Sequence, residues 1–125
     1  MDDMPDHLNV IDTYLAAYSE SDGDTRRGLI AECFAPDATV VDPPLAAAGH
    51  SELDRMFEGL QQQFPQHVFV RTSDIDAHHD AARYSWALRG PDGTVAVTGT
   101  DVVLFGASGR LVRVTGFFGD LSDRS

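Results

Sequence analysis

A chain of 125 residues, 42% of them apolar, can bury one modest core and is too short for a second domain of ordinary size, so residues 1–125 are read as a single domain. Its net charge of -11 and its scattered basic residues repel phosphate backbones, which argues against nucleic-acid binding. All nine basic residues are Arg, and without lysine both Schiff-base chemistry and a lysine-activated nucleophile are excluded.

Residues 5–19 place Leu8, Ile11, Tyr14, Leu15 and Tyr18 at spacings of three and four, the pattern of a helix with one apolar face. Ser21-Asp22-Gly23-Asp24 breaks and recaps the chain, and a second helix over 25–34 turns Leu29, Ile30 and Cys33 or Phe34 inward before Ala35-Pro36-Asp37 stops it. A short strand is expected over 39–42, then a loop from Pro43-Pro44 through Gly49. Ser51-Glu52-Leu53-Asp54 reads as a capping box for a third helix reaching residue 64, with Leu53, Met56, Phe57 and Leu60 inward. From there the period changes from helical to alternating. Strands are expected over 67–76, 81–89, 94–105 and 110–118, separated by His78-His79-Asp80, Gly90-Pro91-Asp92-Gly93 and Gly106-Ala107-Ser108-Gly109. Helices followed by an antiparallel meander make an α+β domain, in which a curved antiparallel sheet wraps three N-terminal helices and leaves a cone-shaped pocket.

Three polar residues conflict with this apolar patterning. Tyr14 lies in the inner face of the first helix, Asp42 ends the strand before Pro43, and Asp101 stands inside the apolar run from Val95 to Phe105. A carboxylate is costly to bury unless it is protonated or well hydrogen-bonded, and so asks for a chemical reason. Asp101 alternates onto one face with Val97, Gly99, Val103 and Phe105, and Gly99 would leave room beside it for a ligand. If that face is convex, Asp101 is a solvated or interfacial acid instead. Tyr14 also reads as an amphipathic core residue, and Asp42 as a turn cap.

The stretch Cys33-Phe34-Ala35-Pro36-Asp37-Ala38-Thr39-Val40-Val41-Asp42-Pro43, then Gly49-His50-Ser51-Glu52-Leu53, then Gly99-Thr100-Asp101-Val102-Val103-Leu104-Phe105 ending at Gly109-Arg110-Leu111, resembles the nuclear-transport-factor-2-like (NTF2-like) superfamily. Within it the chain is similar to bacterial ketosteroid isomerases and SnoaL-like polyketide cyclases, over roughly residues 6–119. The resemblance implies a cone-shaped fold and a site in which Asp42 is the general base, Tyr14 the oxyanion-hole hydroxyl, and Asp101 a carboxylic acid kept neutral to donate a second hydrogen bond. Two departures stand out. Phe57 occupies the position of a tyrosine that supports the oxyanion-hole tyrosine, and the loop after Asp42 is about two residues shorter.

The expected function is therefore a cofactor-independent isomerase of ketosteroid-isomerase type, shifting a proton next to a carbonyl of a hydrophobic small molecule through an enolate. The alternatives are a SnoaL-like polyketide cyclase and a non-catalytic binding or dimerisation domain on the same fold. Phe34, Phe57, Val103, Val114 and Phe118 are the candidates for an apolar wall. Trp86 with Tyr84 and Leu88 lines either this pocket or a subunit interface, and a homodimer through the sheet is expected. No metal is expected: Cys33, read as a buried helix-face thiol, stands alone, and His78 and His79, as neighbours on a strand, point opposite ways. His50 marks a helix entry, and His7 and His67 are isolated. No segment of 18 or more apolar residues spans a membrane and the acidic N-terminus carries no export signal, so a cytoplasmic location is expected.

Overall fold

The computed structural model describes residues 7–121. Three helices, α1 (His7–Ser19), α2 (Gly23–Cys33) and α3 (His50–Gln63), accompany seven strands: β1 (Phe34–Asp42), β2 (Leu45–Ala48), β3 (Val68–Arg71), β4 (Asp76–His78), β5 (Ala81–Arg89), β6 (Val95–Phe105) and β7 (Leu111–Phe118). The strands form one curved, open sheet in the order β2-β1-β7-β6-β5-β3, with β4 also paired to β5. The α+β class and the helix-on-curved-sheet arrangement expected from the sequence are present.

Several elements differ from expectation, each for a local reason. The sheet is mixed: β1 and β7 run parallel, while every other pair is antiparallel. The direction of β7 is set by the turns of the meander it closes, and β1 reaches it only through β2, α3 and the remaining strands. The loop expected after Pro43 is instead β2, because Pro43-Pro44 makes a two-residue hairpin that pairs Asp42 with Leu45 and Thr39 with Ala48. The strand expected over 67–76 is two. The Ser73 hydroxyl accepts the Ser85 amide at 2.8 Å where the ladder is interrupted, and Thr72 donates to the Ser85 carbonyl at 2.9 Å. The capping box is shifted as well: Gly49, at φ 83°, is the N-cap of α3, and Glu52 accepts from the Ala48 amide at 3.0 Å, one residue earlier than a capping box requires.

The core lies between the concave sheet face and the helices. Ile11, Tyr14, Leu15 and Tyr18 of α1, Ile30 and Cys33 of α2, and Leu53 and Phe57 of α3 are buried against β1, β5, β6 and β7. Leu8 departs from its expected face and is exposed. Burial pushes the Cys33 thiol up to about 12, which leaves it an inert thiol. Arg26 is buried on α2, donating to Asp54 of α3 at 2.7 Å and to the Glu20 carbonyl at 3.0 Å, and so ties α2 to α3 and to the turn after α1.

Candidate functional site

The alternation of β6 decides the position of Asp101. Gly99, Asp101, Val103 and Phe105 are buried on the concave face, while Val102 and Leu104 face outward. Asp101 is therefore interior, 2% exposed. Its two neighbours across the ladder are donors: the Tyr84 hydroxyl reaches Oδ2 at 2.8 Å and the Trp86 indole N–H reaches Oδ1 at 2.9 Å. Both come from β5, where residues two apart share the concave side. This also resolves the position of Tyr84, Trp86 and Leu88, which are buried inside the cone and are not an outer interface.

Asp42 ends β1 at the rim of the same interior. Its Oδ2 accepts from the Tyr18 hydroxyl at 3.1 Å, and Tyr18 lies one helical turn beyond Tyr14 on the same buried face of α1. Its other oxygen passes over β7 at Gly116. A Cβ at Gly116 would lie 2.0 Å from Asp42 Oδ1 and 3.1 Å from Asp101 Oδ1, so the two carboxyls approach one point across a strand that can only be glycine there. Gly116→Ala is expected to push Asp42 off its Tyr18 contact and to cost about 1–3 kcal/mol by overpacking, read by chemical denaturation; unchanged stability would mean that the carboxyl yields freely.

Tyr14, Asp42 and Asp101 line one cavity of about 180 Å³, together with Tyr18, Trp86, Leu15, Leu88, Val97 and Phe69, and with Pro44, Leu45, Leu60, Gln63, Phe64 and Phe118. The Tyr14 ring is held by the edge of Phe34 at 5.4 Å and by Phe57 at 6.1 Å, and its hydroxyl makes no hydrogen bond to another described residue. Phe57 thus supports the ring by packing and offers the hydroxyl nothing.

A sequence profile of the SnoaL-like domain matches residues 11–114. The chain belongs to the SnoaL-like family. A comparison with curated proteins finds no match. Among solved structures, a SnoaL-like family protein from Agrobacterium tumefaciens named as a candidate isomerase is 38% identical, with a TM-score of 0.86 over 91% of this chain and 97% of that one. A candidate polyketide cyclase from Sinorhizobium meliloti is 23% identical (TM-score 0.65, 86% of this chain and 93% of that one). A protein of ketosteroid isomerase-like fold from Catenulispora acidiphila, in complex with trimethylamine, is 12% identical (TM-score 0.73, 93% and 87%). These last two likenesses show the fold alone, and with it the NTF2-like, ketosteroid isomerase-like architecture.

The wall of this SnoaL-like cavity differs from the expected one. Of the five apolar candidates only Phe118 lines it; Phe34, Phe57, Val103 and Val114 are fully buried behind it in the core. Phe57, for example, stacks on the outer side of Tyr18 at 4.1 Å. The space expected beside Gly99 is filled, since a Cβ there would lie 2.3 Å from Trp86 Cζ2. Tyr18 and Gly116 are site residues that the sequence reading did not assign, and it left Tyr84 and Trp86 open between this pocket and a subunit interface. Their signal was spacing: Tyr18 follows Tyr14 by four on a helix, and Tyr84 and Trp86 alternate on a strand opposite Asp101.

Burial dominates the electrostatics. It raises the pKa of Asp42 against the lowering effect of the Tyr18 hydrogen bond. It raises Asp101 to about 7, assisted by the charge of Asp42 and opposed by its bonds from Tyr84 and Trp86. Tyr14, Tyr18 and Tyr84 are all raised, first by burial and then by the nearby carboxylates, so all three remain neutral hydroxyl donors. Elsewhere, His78 Nδ1 and His79 Nδ1 approach to 3.1 Å, with His79 at φ 52°, contrary to the expectation that they diverge; His78 ends β4 and His79 begins the exposed turn after it, outside the cavity lining. Among the described residues no group of three or more His, Cys, Asp or Glu is placed to hold a metal ion. No described helix is long and apolar enough to cross a membrane.

Proposed function

We propose that this SnoaL-like protein is a cofactor-independent isomerase that moves a proton next to the carbonyl of a hydrophobic small molecule. The observation that carries the reading is the convergence of Tyr14, Asp42 and Asp101 on one cavity whose remaining walls are mostly apolar. In this reading Asp42 Oδ1 takes the proton from the carbon beside the carbonyl, and the electron pair moves to the carbonyl oxygen. Tyr14 and neutral Asp101 donate to that oxygen as it becomes an enolate. Asp42 then returns the proton to the far end of the conjugated system, so nothing enters or leaves. The Trp86 indole can only donate, so Asp101 Oδ1 must accept, and the acid proton belongs on Oδ2, where the Tyr84 hydroxyl can turn to receive it or a ligand can. A cyclase begins with the same proton removal and differs in using the enolate carbon to form a bond.

The test is conversion of cyclohex-3-enone to its conjugated isomer, followed by ultraviolet absorbance, with solvent deuterium incorporation followed by NMR. Acceleration over buffer is expected. A rate equal to buffer for both readouts removes the proton-shuttle reading and leaves a binding domain.

Self-association is also part of the proposal, on a different surface from the one the sequence suggested. With Tyr84, Trp86 and Leu88 inside, the exposed apolar residues of the convex face are Val102, Leu104 and Phe117. A homodimer through that face is expected at micromolar concentration. Sedimentation giving a monomeric mass there would refute it.

A further inference from the structure

The cavity is small. At about 180 Å³ it is close in size to an engineered cavity of about 150 Å³ that holds a benzene ring, and lies below the roughly 300 Å³ at which drug-sized sites begin. One of its walls is Trp86. Its indole lies against the β6 backbone at Gly99, is fixed by its N–H to Asp101, and has Phe69 at 5.2 Å and Phe118 at 6.0 Å packed edge-on against it. Swinging it aside to admit a second ring would break the hydrogen bond to Asp101 and strand a buried N–H. Leu88 and Val97 close the cavity beside it.

We infer that the site takes single-ring carbonyl compounds, with the carbonyl end toward Tyr14 and Asp101 and the ring against Phe69, Trp86 and Phe118, and that Trp86 excludes fused-ring substrates. The carbonyl part of this statement rests on the proton-shuttle reading above; the ring-size limit rests on the walls alone. A larger apolar ligand ordinarily binds more tightly, because it removes more surface from water. A preference for the smaller ligand therefore points to steric exclusion.

Trp86 is the only tryptophan of the chain, so the protein has one indole N–H resonance, and it sits at the site. Phenols present an oxygen conjugated to a ring, as an enolate does, and three of them form a size series: 4-methylphenol, 2-naphthol and the four-ring phenol estradiol. Titrated against the indole resonance in a 1H-15N spectrum, 4-methylphenol is expected to shift it saturably with a Kd at least about tenfold below that of estradiol. Val97→Ala keeps the resonance and enlarges the space beside it, so it should improve 2-naphthol binding about threefold or more relative to 4-methylphenol. Estradiol binding as tightly as 4-methylphenol, no phenol moving the resonance, or an unchanged ratio in Val97→Ala would each overturn the size limit. Size-selective binding without conversion of cyclohex-3-enone would uphold the limit and sink the chemistry, whereas conversion with no size preference would do the reverse.

Discussion

Asp42→Asn is expected to lower turnover of a β,γ-unsaturated ketone by at least about a hundredfold while changing ligand affinity little, because it removes the base and almost nothing else. The asparagine is close in shape to the aspartate, so it can still accept from Tyr18, which reaches the native carboxylate at 3.1 Å, and can still pass over Gly116. What it loses is the ability to bind a proton. The wild-type rate should fall as pH drops through the Asp42 pKa, which burial holds above the ordinary aspartate range, and this limb of the profile should disappear with the residual activity of the variant. The pH dependence of stability supplies the control for folding. An acid whose folded pKa is raised lowers stability once it is ionised, so Asp42→Asn should be at least as stable as the wild type at neutral pH. A variant that is folded, binds ligand and turns over at the wild-type rate would remove Asp42 from the mechanism.

Replacing Asp101 separates its role as a donor from its cost as a buried acid. Its carboxyl ionises near 3.8 when solvated and at about 7 in the fold, because burial disfavours the charge more than Tyr84 and Trp86 favour it. Between those values the unfolded chain releases a proton that the folded protein keeps. Stability contributed by this group is thus complete below about pH 4, falls as pH rises to about 7, and is level above that. At 1.36 kcal/mol per unit the loss is on the order of 4 kcal/mol. Asp101→Asn removes this titration while keeping a donor. Its carbonyl can accept from the Trp86 N–H, and its amide can donate to the Tyr84 oxygen or to a ligand. It should therefore lose less stability than the wild type between pH 4 and pH 8 and retain activity within about tenfold. Asp101→Leu should also flatten the pH dependence, but it leaves two buried donors unpaired at about 1–3 kcal/mol each and should depress turnover about a hundredfold. Denaturation at several pH values and NMR titration of the carboxyl are the measurements. A carboxyl pKa near 4 would show that Asp101 is an ordinary ionised acid and would leave Tyr14 as the lone oxyanion donor.

How much of this site was legible depended on the range of the interaction involved. Asp101 stood out because a carboxylate interrupted a strand whose alternating positions are apolar, and that is a local conflict visible within eleven residues. Tyr18 did not stand out, because a tyrosine on a helix face among Ile11 and Leu15 satisfies the apolar pattern whether or not its hydroxyl meets a carboxylate 24 residues away. Gly116 was silent for a similar reason: nothing around Thr115-Gly116-Phe117 indicates that two carboxyls cross above it. The apolar wall was misassigned because hydrophobicity predicts burial and does not distinguish a residue packed behind a cavity from one facing it, as Val103 and Val114 illustrate.

By itself, the sequence determined the three helices and the strands that follow them, though not β2 or the break between β3 and β4, together with the helix face that carries Tyr14 and the family, since these follow from local periodicity, turn chemistry and runs of residues that need no partner to be read. Only the tertiary structure decided that β1 lies parallel to β7, that the Asp101 face is concave, that Trp86 fills the space over Gly99, and that Tyr18, Tyr84 and Trp86 supply the hydrogen bonds to the two acids. Each of these joins residues far apart along the chain or turns on the curvature of the sheet. Curvature is a collective consequence of twist and packing across seven strands, and no single window of the sequence contains it.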